Sequence, residues 1–142
     1  MDSYFNQINR LYNVGARNFL FVTVPPVDRS PRVSRHSYSM FAFRKLIFNE
    51  MGGSNAGERT VILDYNKRLA SRVASLKSSK PDVKTFIWDA HAQFTQILDS
   101  PTTYGFRDAM SVGTAANQFW SDDYHPGSAS VFLTKIKLLT SS

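Results

Sequence analysis

Asp122-Asp123-Tyr124-His125, followed directly by Pro126, is the stretch of this chain best suited to chemistry. An imidazole that takes a proton from a hydroxyl needs one ring nitrogen free and the other held by a carboxylate, which fixes its tautomer and orientation. Asp122, three residues upstream on the same loop, has the reach to hold the inner nitrogen of His125. Pro126 suits the first position of a helix, and Ala129, Phe132, Leu133 and Ile136 then repeat at i, i+3, i+4 and i+7 as one apolar stripe. This spacing predicts a histidine at a helix mouth, where the positive dipole end disfavours imidazolium and helps keep a base neutral. An isolated Asp-x-x-His also occurs as an ordinary surface loop, so its context decides.

Other reactive residues have less support. His36 lies in a basic loop and His91 at a strand-to-helix junction, both ordinary places for structural or solvated histidines. With the three histidines this far apart, no metal-ligand spacing emerges. Ser54, in Gly52-Gly53-Ser54-Asn55-Ala56, faintly echoes a nucleophile elbow, which needs a strand immediately before it and a helix after it. A glycine-rich loop is the better reading, and no nucleophile is identified. No cofactor is expected.

The elements that must position Asp122 and His125 are legible in outline. At 142 residues, 42% hydrophobic, the chain suits one domain that buries roughly two-thirds of its unfolded surface. Phe5, Ile8, Leu11 and Tyr12 predict a helix over Tyr4–Tyr12, capped at Gly15. Asn18–Val24 is a nearly continuous apolar run, the pattern of a parallel strand buried on both faces, ended by Pro25-Pro26. Pro31 to Ser39 and Gly52 to Gly57 read as loops around an unassigned apolar patch, Phe41 to Phe48. A long helix over Thr60–Ser78 carries Ile62, Tyr65, Leu69, Val73 and Leu76 inward, with Lys67, Arg68, Arg72 and Lys77 on the wet side. Val83–Ala90 follows as a strand, and His91–Asp99 as a helix burying Phe94, Ile97 and Leu98. Helix, strand, helix, strand, helix predicts an α/β fold with a parallel sheet.

Composition excludes several classes. With no Cys there is neither a disulfide framework nor a thiolate metal site. The N-terminus lacks the basic and apolar regions of a signal peptide, and no apolar run reaches transmembrane length, so the chain as written is expected to stay inside the cell. The net charge of +6 concentrates between Arg29 and Lys45, interleaved with Tyr38, Phe41 and Phe43. That stretch matches no nucleic-acid-binding signature and reads as a solvated loop, although a basic binding module stands as a distant alternative.

Taken in order, Leu11-Tyr12, Gly15-Ala16-Arg17, Val24-Pro25-Pro26, Tyr65-Asn66 with Leu69, Phe86 to Asp89, Tyr104-Gly105-Phe106, Phe119-Trp120 and Asp122-x-x-His125-Pro126 resemble the SGNH/GDSL family of serine esterases and acylhydrolases. The resemblance is to its fungal and plant branch, which includes the carbohydrate esterase family 16 acetylesterases. It implies the C-terminal part of a flavodoxin-like, three-layer α/β/α domain, with His125 as general base and Asp122 as its orienting carboxylate. The family's nucleophile lies in Gly-Asp-Ser and one oxyanion donor in Gly-x-Asn-Asp; neither motif occurs in this sequence. The resemblance therefore implies a single truncated domain, residues 1–142, beginning just before the family's fourth strand.

Loss of a serine nucleophile costs about a millionfold in turnover, and each missing oxyanion donor roughly a hundred- to a thousandfold. The chain alone is accordingly expected to be inactive, with an acyl or acetyl ester of carbohydrate or lipid as substrate only once an N-terminal half completes it. If the strand order 2-1-3-4-5 applies, the strand at Asn18–Val24 has lost a neighbour and exposes an apolar edge that favours self-association. A catalytically inactive fragment or a non-enzymatic interaction module is the principal alternative.

Overall fold

The computed structural model describes residues 1–32 and 54–128. Helix α1 spans Asp2–Asn13, strand β1 Asn18–Val22, helix α2 Ser54–Ser79, strand β2 Lys84–Trp88 and helix α3 Ala90–Asp99. Short 3-10 turns occupy Val27–Arg29 and Pro101–Tyr104.

The end of α1 follows from one glycine. Gly15, at φ 104°, takes the left-handed conformation that reverses a helix end. Its N–H then donates to the Tyr12 carbonyl at 3.0 Å, and the Ala16 N–H donates to the Leu11 carbonyl at 3.0 Å. These paired bonds satisfy carbonyls that the helix end would otherwise leave open. The chain turns directly into β1, which pairs in parallel with β2 in the register Asn18↔Lys84 to Val22↔Trp88.

The inner sheet face carries Phe19 and Phe21. Against it pack Phe5 and Ile8 of α1, Leu69, Val73 and Leu76 of α2, and Val83, forming one apolar cluster. Each such side chain contributes roughly 1.5–3 kcal/mol through removal from water. A second cluster joins Phe94, Ile97 and Leu98 of α3 to Phe106, Phe119 and Trp120.

Parallel α/β organisation is as the residues predict, with several differences in detail. Burial along β1 alternates instead of being continuous: Leu20 is 58% exposed, and Phe86, its partner in β2, 59%. Among the described residues the reason is one-sided cover, since α1 and α2 both pack on the Phe19 and Phe21 face. Helix α2 begins at Ser54, so Ser54 to Gly57 form its first turn and not a loop; Pro31 and Arg32 are likewise helical. Tyr65 is exposed and does not join the buried stripe. Strand β2 ends at Trp88 because Asp89 caps α3, its side chain accepting the Ala92 N–H at 3.0 Å. The Phe41 to Phe48 patch and the stripe Ala129 to Ile136 lie outside the described residues.

Candidate active site

The loop that bears Asp122 and His125 hangs from Trp120. Backbone bridges join Trp120 to Val112 in parallel and to Pro126 antiparallel. The Gly113 N–H donates to the Trp120 carbonyl at 2.9 Å, the Gly127 N–H to the Phe119 carbonyl at 2.7 Å, and the Ser121 N–H to the His125 carbonyl at 2.9 Å. Phe119 and Trp120, 0% and 1% exposed, anchor this hairpin in the second cluster. The indole N–H of Trp120 is satisfied by the Ala109 carbonyl at 2.9 Å.

Within the hairpin the chain closes on Asp122. Its Oδ1 accepts the backbone N–H of Tyr124 at 2.8 Å and of His125 at 2.7 Å. Its Oδ2 lies 2.9 Å from Nδ1 of His125. A carboxylate so placed favours the tautomer with a proton on Nδ1 and a lone pair on Nε2. The imidazole is 71% exposed, and Nε2 makes no hydrogen bond among the described residues. Backbone donation from His125, then from Tyr124, and then the His125 ring, hold the Asp122 carboxyl at about 2, below its ordinary value. The Tyr124 ring meets the imidazole edge-on, with centroids 5.5 Å apart. Asp123 turns its side chain to solvent while its carbonyl accepts the Arg32 N–H at 2.7 Å.

The two residues singled out from the sequence thus meet, but not at a helix mouth. Pro126 lies in the bridge to Trp120, and Ser128 is the first helical residue. With the His125 carbonyl and the Gly127 N–H both bonded back to the hairpin, residues 125–127 belong to the hairpin and not to a helix.

Residues invisible to local spacing support this edge of the sheet. Asn66 of α2 clamps the end of β1, accepting the Val24 N–H at 2.8 Å and donating to the Val24 carbonyl at 2.9 Å. The Thr23 hydroxyl donates to Asp89 at 3.0 Å and accepts the His91 N–H at 3.0 Å. His91 is thereby tied into the scaffold through its backbone, with its Nε2 buried. Arg29 pairs with Asp99 at 2.6 Å. Local periodicity identified none of these; Asn66, a polar residue interrupting the amphipathic stripe, is the one that a closer reading of that stripe would single out. His36 lies outside the described residues, as does most of the Arg29 to Lys45 cluster. Among the described residues no three His, Cys, Asp or Glu side chains gather as a metal would require. None of the described helices is long and apolar enough to cross a membrane.

The chain has a family-level resemblance to GDSL-type esterase/lipase proteins. It is 32% identical over 128 residues to an acetylesterase of Thermothelomyces thermophilus, an alignment covering 89% of this chain and 38% of that protein. Two GDSL esterase/lipases of Arabidopsis thaliana align at 30% identity over 108 residues and 28% over 149 residues. Those alignments cover 75% and 89% of this chain, and 26% and 38% of the relatives. The chain therefore spans well under half the length of the curated relatives it matches. No family model matches it.

Proposed function

We propose that this chain is the base-bearing, C-terminal portion of a GDSL-type ester hydrolase domain with a flavodoxin-like α/β/α sheet. His125 is its general base and later general acid, and Asp122 the carboxylate that orients the ring. The observation that carries this reading is the 2.9 Å contact between His125 Nδ1 and Asp122 Oδ2 beside an exposed imidazole. Nε2 would take the proton of a serine hydroxyl during attack on the ester carbonyl, then return it to the leaving alcohol. Serine and oxyanion donors come from a segment outside this chain, in line with the 38% coverage of the acetylesterase and the absence of Gly-Asp-Ser here. The substrate is an acyl or acetyl ester, on carbohydrate or lipid.

The alternative is a module without chemistry, favoured for the isolated chain by that same missing motif.

The test is complementation. The N-terminal portion of a GDSL relative, fused before Met1 or supplied in trans, should yield hydrolysis of p-nitrophenyl acetate, where the chain alone yields none. His125→Ala in the completed protein should nearly abolish turnover, and Asp122→Asn should lower it by up to about ten-thousandfold. Asp123→Asn, whose side chain faces solvent, should change little. Robust turnover by the isolated chain, or equal damage from both Asp substitutions, would defeat the assignment.

A further inference from the structure

Strand β1 meets β2 along one edge, and the phase of that ladder fixes which groups lie on the other. The Lys84 N–H donates to the Arg17 carbonyl at 2.8 Å and the Thr23 N–H to the Trp88 carbonyl at 3.1 Å. The N–H and C=O of one residue point to the same side of a strand, and those of its neighbours to the opposite side, so Arg17, Phe19, Phe21 and Thr23 face β2. Asn18, Leu20 and Val22 face away, and among the described residues nothing pairs with their backbone. The flanking residues of the same phase are closed. At the start, the Ala16 N–H donates to the Leu11 carbonyl at 3.0 Å, and the Ala16 carbonyl accepts from the Arg17 guanidinium at 2.9 Å. At the finish, the Asn66 side-chain amide takes both the N–H and the carbonyl of Val24. It stands where a further strand residue would bond.

Topology says what fits the open stretch between them. Helices α1 and α2 pack on the same sheet face, the one bearing Phe19 and Phe21. The unit β1, α2, β2 is a parallel crossover, and such crossovers are right-handed in nearly all proteins. A crossover through α1 into β1 on that same face keeps this hand only if its first strand lies on the side of β1 away from β2. That side is the open edge. We propose that this edge receives one parallel strand from the segment that precedes α1 in the completed domain, pairing with Asn18, Leu20 and Val22, and that Asn66 ends the ladder there. The inference rests on the reading of this chain as the C-terminal portion of a larger domain.

The test is amide hydrogen exchange read residue by residue, on the dilute intact chain and on its fusion to the N-terminal portion of a GDSL relative placed before Met1. Rates are taken relative to the Phe21 amide, which is bonded to β2 in both proteins. In the chain alone, Leu20 and Val22 should exchange fast. In the fusion they should slow by about tenfold or more, while Val24, held by Asn66 throughout, keeps its relative rate. Asn66→Ala should speed Val24 in the chain alone, and fusion should slow it again as the ladder lengthens. If that variant does not fold, the comparison of the two unsubstituted proteins carries the test. Leu20 and Val22 amides that stay fast in the fusion overturn the proposal. Protection of both in the chain alone does so too, whether supplied within the chain or, if it grows with concentration, by a second copy. A Val24 amide that slows in the unsubstituted fusion, or stays slow in the Asn66→Ala chain, removes the role of Asn66. A fusion that shows the expected protection yet does not hydrolyse p-nitrophenyl acetate would count against the ester-hydrolase reading and leave the docking edge standing.

Discussion

Asp122 uses its two oxygens differently. Oδ1 folds the loop by taking two backbone N–H groups, and Oδ2 orients the imidazole. Because the backbone donors are the larger cause of its lowered value of about 2, Asp122 should remain ionised well below the pH at which an ordinary aspartate protonates. The sign follows from linkage. A carboxyl depressed in the folded state contributes stability that is present above its unfolded value near ~4 and is lost as pH falls toward about 2. Carbon-13 titration of the Asp122 carboxyl should show a midpoint near 2, and a midpoint in the ordinary range would contradict the loop geometry. Asp122→Ala should disorder the turn, whereas Asp122→Asn keeps acceptors for the two N–H groups and should preserve it. Both members of the pair were legible in the sequence because they lie three residues apart. Asn66, Arg29 and Arg32 were not, because each acts on a partner 42 to 91 positions away.

At the scale of elements, α2 and the end of α1 bear most of the definition. Leu69, at the centre of the α2 stripe, is buried against the sheet. Leu69→Ala should cost about 2–5 kcal/mol in denaturant unfolding, through lost transfer energy and the cavity left behind. Asn66→Ala leaves both backbone polar groups of Val24 without their partner and should cost about 1–3 kcal/mol. Gly15→Ala forces a Cβ into a left-handed turn and should cost about 1–2 kcal/mol, although no atom lies within 4 Å of the added group. A Gly15→Ala variant as stable as the parent would refute the strain argument. Periodicity identified these helices because their inward residues repeat at helical spacing. It missed the early start of α2, since a Gly- and Ser-containing turn has no apolar pattern to read, and it mistook alternating burial in β1 for continuous burial. Leu20 and Val22 are as apolar as Phe19 and Phe21, with which they alternate, so composition could not tell which face is covered.

For the whole molecule, the consequence is that Leu20 and Val22, beside Phe86, form an apolar surface that the described residues leave exposed on the sheet of β1 and β2. The isolated chain should show concentration-dependent sedimentation, and Leu20→Lys with Phe86→Lys should suppress it. A concentration-independent monomer would mean that this face is satisfied within the chain. The two apolar clusters have a separate consequence. Each contains its own aromatic group, but Trp120 lies in the second, while Trp88 touches it edge-on through Phe94 with centroids 6.4 Å apart. Indole emission therefore reports chiefly on the cluster that carries the Asp122–His125 hairpin, whereas far-ultraviolet dichroism is dominated by the 26 residues of α2. On heating or in urea, the emission transition should precede the loss of helix signal, giving two non-coincident curves. The molecule would then pass through a state that keeps its sheet and long helix but has already let the imidazole go.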